Sequence, residues 1–277
     1  IATLLKIYRG ENLKYRHTIT GKLWILMPVL TLLLAYGISQ NFGINSAFNW
    51  WYTLMLPGTV TLFTCLAGEK DRKMKNRADF AMPIDMGSNW DSKILAGIRV
   101  LALANLVAAA GNLALGRYLV PRFWMDQVME ISPAQTAAAA AVMTVTILWQ
   151  VPFCLWLDQK WGLFPALIIN MILNTTGTVM AVTSYWLLNP WAVLPRLMTA
   201  VVGILPNCMP AVPGSETYFP GITDPSSILP GILVTIVWFG VLWAISRIWY
   251  KRKAEKARYY YGSGKNRKIY RDQEKGS

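Results

Sequence analysis

A succession of long apolar runs limits this chain more than any other feature. A helix crossing the hydrocarbon core of a bilayer needs about 20 mainly apolar residues, and six such runs follow one another. They are Leu23–Ser39 ("LWILMPVLTLLLAYGIS"), Phe48–Ala67, Ile94–Leu115, Ala134–Leu157, Gly162–Leu188 and Leu229–Tyr250. In lipid every backbone N–H and C=O must be satisfied within the protein, so the runs predict an all-α integral membrane protein with six transmembrane helices. Charge agrees with this. Only 15% of the 277 residues are charged, against about 25% in an ordinary soluble domain. Trp243, Trp249 and Tyr250 flank the last run in the manner of an aromatic belt.

A further segment, "NPWAVLPRLMTAVVGILPNCMP" (Asn189–Pro210), is apolar but carries Arg196 and four prolines. Its uninterrupted part, Leu197–Leu205, is too short to cross. A re-entrant or surface-lying helix pair buried by protein is the expected form. With six spans and the N-terminus inside, residues 1–22, 68–93, 158–161 and 247–277 share one side. They hold 23 of the 27 Lys and Arg, whereas the opposite side holds Arg117, Arg122 and Arg196, and Arg99 falls within the third run. That asymmetry follows the positive-inside rule and places both termini in the cytoplasm. It also accounts for the net charge of +13 without a nucleic-acid partner.

Several chemistries find no residues to carry them. Cys65, Cys154 and Cys208 stand far apart, and His17 is the only histidine, so no metal site is expected. There is no P-loop: "GSGK" at Gly262–Lys265 lies in a polar tail. No HExxH, no G-x-S-x-G and no paired carboxylates within the runs are present. The expectation is a protein without catalytic residues of its own. Residues 1–22 are polar and amphipathic, with no small-residue cleavage site after the first run, so no cleavable signal peptide is expected.

Two basic segments on the inner side invite a functional reading. In residues 1–22, Leu4, Leu5, Tyr8 and Tyr15 recur at roughly helical spacing, with Lys6, Arg9, Lys14 and Arg16 on the rest of the circumference. This predicts an interfacial helix with its basic face toward anionic membrane lipid. Residues 68–93, "GEKDRKMKNRADFAMPIDMGSNWDSK", alternate charges from Glu69 through Lys70, Arg72 and Lys73 at spacings that support a helical turn. Phe80, Ala81, Met82 and Ile84 beside Pro83 then predict an apolar tip, and Trp90 and Lys93 interfacial anchors. A polar stem with an apolar tip suits docking into a groove on a soluble partner.

In order, "ENLKYRHTITGKLWILMPVL", "EKDRKMKNRADFAMPID" with "WDSK", and "WLLNPWAVLPRLMTAVVGILPNCMP" resemble the permeases of ABC-2 type exporters, in particular lantibiotic immunity permeases of the mutacin/epidermin/nisin type. The likeness spans the chain to about Arg258. It departs at Asn207–Cys208, where the expected "PNG" reads "PNC". The resemblance implies an N-terminal interfacial helix over 1–22, a six-span domain over 23–250 with a coupling loop at 68–93 and an outer segment at 189–228, and a basic cytoplasmic tail over 251–277. It implies two copies of a soluble ABC ATPase that bind ATP and Mg, this chain holding no cofactor. It further implies a second related six-span permease (or a second copy of this chain) and export of a lantibiotic-type peptide from the plasma membrane of a Gram-positive bacterium. Glu69 would open the coupling segment, Phe80, Pro83 and Ile84 would form its docking tip, and Lys93 would fix its return. Trp191, Pro195, Pro206 and Asn207 would cap the outer side. Two alternatives stay open: another amphiphilic drug or lipid-like cargo, and a non-transporting immunity protein that sequesters peptide.

Overall fold

The structure, a computed structural model, describes residues 2–73, 76, 79–80, 84–123 and 126–274; side chains are described from residue 4 to 259 within these, Lys70 excepted. The described residues are all-helical, with one isolated β-bridge, Ile204 to Pro210. Five helical stretches are long and apolar enough to cross a membrane: Thr20–Glu69, Met86–Phe123, Pro133–Trp161, Leu163–Met180 and Pro225–Tyr259. This is the build of a membrane protein.

Helix α1 (Ala2–Leu13) precedes a run of turns, and α2 (Leu23–Ser39) coincides with the first apolar run. Gln40, with φ 48 and ψ −108, breaks α2 and turns the chain into α3 (Gly43–Trp50). A π-helical turn at Trp51–Met55 leads to α4 (Leu56–Lys73). The wider turn sits just before Pro57, whose ring excludes the regular bond to the carbonyl four residues back. Leu23 at the start of α2 clusters with Phe63 and Ala67 near the end of α4, and Leu32 and Ala35 cluster with Ala47 in α3. The 50-residue stretch is therefore folded back on itself as an antiparallel hairpin.

Helix α5 (Met86–Leu113) starts where the Asp85 side chain accepts from the Ser88 N–H at 2.8 Å, one of the orphan donors of a helix start. It continues through a π-helical turn into the short α6 (Val120–Phe123). A capping box of Ser132 and Gln135 with Pro133 at the first position opens α7 (Pro133–Ile147). Helix α8 (Gln150–Trp161) stops at Gly162, whose φ of 86 favours glycine, and α9 (Leu163–Met180) follows. The fifth run was expected to stay helical to Leu188. Its helix ends at Met180, and Trp186–Leu188 form a single 3₁₀ turn.

The expected helix pair before the last span is one helix. Asn189 caps α10 (Pro190–Val202), which ends at left-handed Gly203. At about 1.5 Å per residue it spans roughly 20 Å, short of the ~30 Å core. A loop with one 3₁₀ turn (Pro225–Ser227) then leads to α11 (Ile228–Glu274), a single 47-residue helix that runs on through the basic tail.

Four helices are joined inside the bundle by amides. Asn170 on α9 donates to Thr61 on α4 (2.9 Å) and to Gln150 on α8 (3.1 Å), and accepts from the Trp191 indole on α10 at 3.1 Å. Gln150 in turn donates to Asn174 at 3.2 Å. Buried polar groups need such partners, and here the partners come from different helices. Opposite ends of the bundle are also distinct. At one end Gln127 meets Gln40 and the N–H of Ile44, and Asn45 meets the Cys208 carbonyl. The other end gathers ionised groups.

Candidate functional site: a buried charge cluster

Lys93 lies on the second turn of α5 and is only 6% exposed. Its ammonium meets Asp71 at 2.7 Å, Asp79 at 3.1 Å and Glu11 at 3.2 Å. A second ammonium, Lys14, reaches the same three carboxylates: Glu11 at 2.9 Å, Asp71 at 3.0 Å and Asp79 at 3.5 Å. Tyr15 donates to Glu11. Asn89, one turn before Lys93, donates to Asp79 at 3.1 Å, as does the Tyr250 hydroxyl at 3.3 Å. Three carboxylates and two ammoniums from α1 and its following turn, α4, the residues after it, and α5 are thus closed over by Tyr250 of α11.

The electrostatics follow from mutual neutralisation. Burial pushes the Asp79 carboxyl up, but the Lys93 and Lys14 charges and the Asn89 amide outweigh it, and the group titrates below its ordinary 3.8. Burial and the Lys93 charge pull Lys14 down, yet Glu11, Asp79 and Asp71 outweigh them and hold it above its ordinary 10.5. Both stay ionised through the neutral range. Paired in this way, the cluster fastens segments that are distant in sequence.

More contacts extend the fastening. Arg72 faces the buried Asp158 of α8 at 3.4 Å, and Asn76 donates to Gln159 at 3.0 Å. Gly68 lies so close to this pair that a Cβ there would sit 2.8 Å from an Asp158 oxygen. Lys253 on α11 also reaches Gln159, at 3.1 Å. Arg247 grips Asp91 at 3.0 Å, Lys251 reaches Asp85 at 3.3 Å, and Arg258 donates to the Phe80 carbonyl at 2.9 Å. The last helix therefore holds the 68–93 segment at Asp79, Phe80, Asp85 and Asp91.

This placement corrects several expectations. Phe80 is no exposed tip: it is 3% exposed, with its ring 5.7 Å from that of Tyr250. Trp90 and Lys93 are not interfacial anchors. Trp90 is fully buried, stacked on Tyr250 at 4.7 Å, and donates to Ser246. Ile84 is half-buried against the main core. Glu69 and Lys73 form an i,i+4 pair at 2.8 Å on the surface, as the charge alternation predicts. Pro83 and the Lys70 side chain lie outside the described residues. Of the N-terminal set, Leu5 is exposed, Leu4 and Tyr8 are half-buried, and Tyr15 is buried edge-on to Phe63. Lys14 turns inward rather than toward lipid.

The outer set is split. Trp191 lies inside the bundle, edge-on to Trp149 at 4.7 Å and Phe153 at 5.5 Å, and Pro195 is buried in α10. The Pro206 carbonyl accepts from Asn49 at 2.9 Å, and Asn207 is exposed with its amide on the Glu216 carbonyl. Arg196 is buried as well, its guanidinium 4.8 Å over Phe219 and bonded to the Gly221 carbonyl.

Glu11, Asp71, Asp79 and Asn89 were not singled out by the sequence, and Tyr250, expected in an aromatic belt, is instead fully buried. Their partners lie up to 171 residues away, and alternating charge in a loop reads as solvated surface. Comparison with known proteins finds no relative: no family model matches, and neither a curated protein nor a solved structure does.

Proposed function

We propose that the chain is the permease subunit of an ATP-driven ABC-2 type exporter that expels lantibiotic or related antimicrobial peptide from the membrane. Six passes with both termini on one side belong to this reading, and the fold-back at Gln40, which would let the Thr20–Glu69 stretch pass twice, supports it. The observation that carries the reading is the charge cluster. It joins the N-terminal segment, the 68–93 segment and the last helix into one unit at the basic end of the bundle. A push delivered there by a soluble partner would move several spans together, which is the mechanical demand on a transport subunit whose ATP hydrolysis is done elsewhere. Resemblance alone supplies the cargo class.

The test is affinity purification of the intact chain, expressed with its native neighbours and gently solubilised, followed by mass spectrometry. A soluble ATPase with a second six-span chain, or with this chain alone, is the expected company. Its absence under conditions that preserve a known ABC complex would overturn the reading in favour of a protein that sequesters peptide unaided.

A further inference from the structure

A cleft of about 270 Å³ lies beside the charge cluster, lined by Asn12, Leu13, Tyr15, Arg16, Gly21 and Arg99. That is well beyond the ~30 Å³ share of one water. Among the described residues no acidic one lines it; Glu11, Asp71 and Asp79 are turned onto Lys14 and Lys93. Arg16 and Arg99 are both exposed, and among the described residues neither forms an ion pair. Asn12 uses its amide N–H on the Tyr8 carbonyl at 3.0 Å, while its Oδ1 is buried and accepts no hydrogen bond. Leu13, in the lining, is 65% exposed.

We propose that this cleft binds the headgroup of a phospholipid that carries a hydrogen-bond donor. Two guanidiniums from different segments, Arg16 on the turns after α1 and Arg99 on α5, suit a phosphate diester, which they contact through charge-assisted hydrogen bonds. The orphan Asn12 Oδ1 demands a donor next to that phosphate, which a glycerol hydroxyl or a primary ammonium supplies and a trimethylated ammonium does not. Exposed Leu13 offers apolar surface to the acyl chains. Depth agrees as well. Arg99 lies six residues beyond Lys93 on α5, about 9 Å farther along the helix, where a long basic side chain reaches back to the headgroup layer. An ionisable residue inside an apolar span marks a functional contact by default. The site stands independently of the transport reading.

The test uses the full chain in detergent, stripped of lipid and titrated with phosphatidylglycerol, phosphatidylethanolamine and phosphatidylcholine of identical acyl composition, with retained lipid counted by native mass spectrometry. The first two are expected to bind about tenfold or more tighter than the third. The double variant R16Q/R99Q should lose phosphatidylglycerol by roughly tenfold or more, and Asn12→Leu should erase the preference over phosphatidylcholine. Arg9→Gln, on the exposed part of α1, should change nothing, and circular dichroism checks that each variant is folded. Four results would each overturn the proposal: retention unchanged in folded R16Q/R99Q, an equal loss in R9Q, equal binding of phosphatidylcholine, or full displacement by millimolar inorganic phosphate, which would make the ligand a free anion.

Discussion

Lys93 stands between three carboxylates that, among the described residues, share one other cation, Lys14. Breaking a buried ion pair by removing one partner costs about 3–5 kcal/mol, because the charge left behind stays desolvated. Lys93→Met should therefore lower the unfolding temperature in detergent markedly, and adding Asp79→Asn should restore part of it. Additive losses would mean that the two groups do not share a network. The pH dependence follows from the same contacts. Asp79 has its folded pKa depressed below 3.8, so its stabilisation is full above that value and disappears as pH falls through the folded pKa. Lys14 is raised above 10.5, so its stabilisation is full below that value and disappears as pH rises through the folded pKa. From these two groups, stability should be flat between about 4 and about 10.5, and Asp79→Asn should flatten the acid limb of a thermal-unfolding series. Lys93 was legible as a marked position at the start of the third run. Its role was not, since the partners that define it come from α1, from α4 and from beyond α4, and no local spacing announces them.

Among the elements, α11 does the most that the sequence hides. Its apolar part was readable from hydropathy, and its lipid-facing Leu229, Leu233, Ile236 and Val237 are exposed as that reading requires. Its hold on the 68–93 segment through Arg247, Lys251 and Arg258 depends on tertiary approach and left no periodic trace. Phe80→Asp distinguishes a held segment from a free tip. It would bury an unpaired carboxylate beside Tyr250 and cost several kcal/mol, so the variant should express poorly or unfold early in a thermal melt. Glu69→Ala removes one exposed i,i+4 pair and should shift stability by no more than about 0.5 kcal/mol. A well-folded F80D protein would show that Phe80 is not held in the protein interior. The helix boundaries themselves were largely local. α2 coincides with its apolar run, whereas the helix of the fifth run, α9, stops at Met180. Apolar Trp186 and Leu187 beyond it pack with Val142 of α7 and Ala192, Val193 and Leu197 of α10, which hydropathy cannot tell from a span.

At the scale of the molecule, the four basic segments meet at one end through Arg72–Asp158, Lys253–Gln159, Lys14–Asp71 and Arg247–Asp91. On the proposed six-pass arrangement a reporter fused after residue 277 should read as cytoplasmic, and protease cleavage of that fusion on intact cells would contradict it. The cluster has a consequence for synthesis too. Glu11 and Lys14 leave the ribosome first, Lys93 joins them after the hairpin has inserted, and the Tyr250 hydroxyl arrives only when the last helix does. Until then Asp79 lacks one of its donors and Trp90 lacks its stacking partner. A chain released early carries an open charged wound at the membrane surface, visible to a protease, and the finished chain does not: closure of the cluster marks the protein as complete.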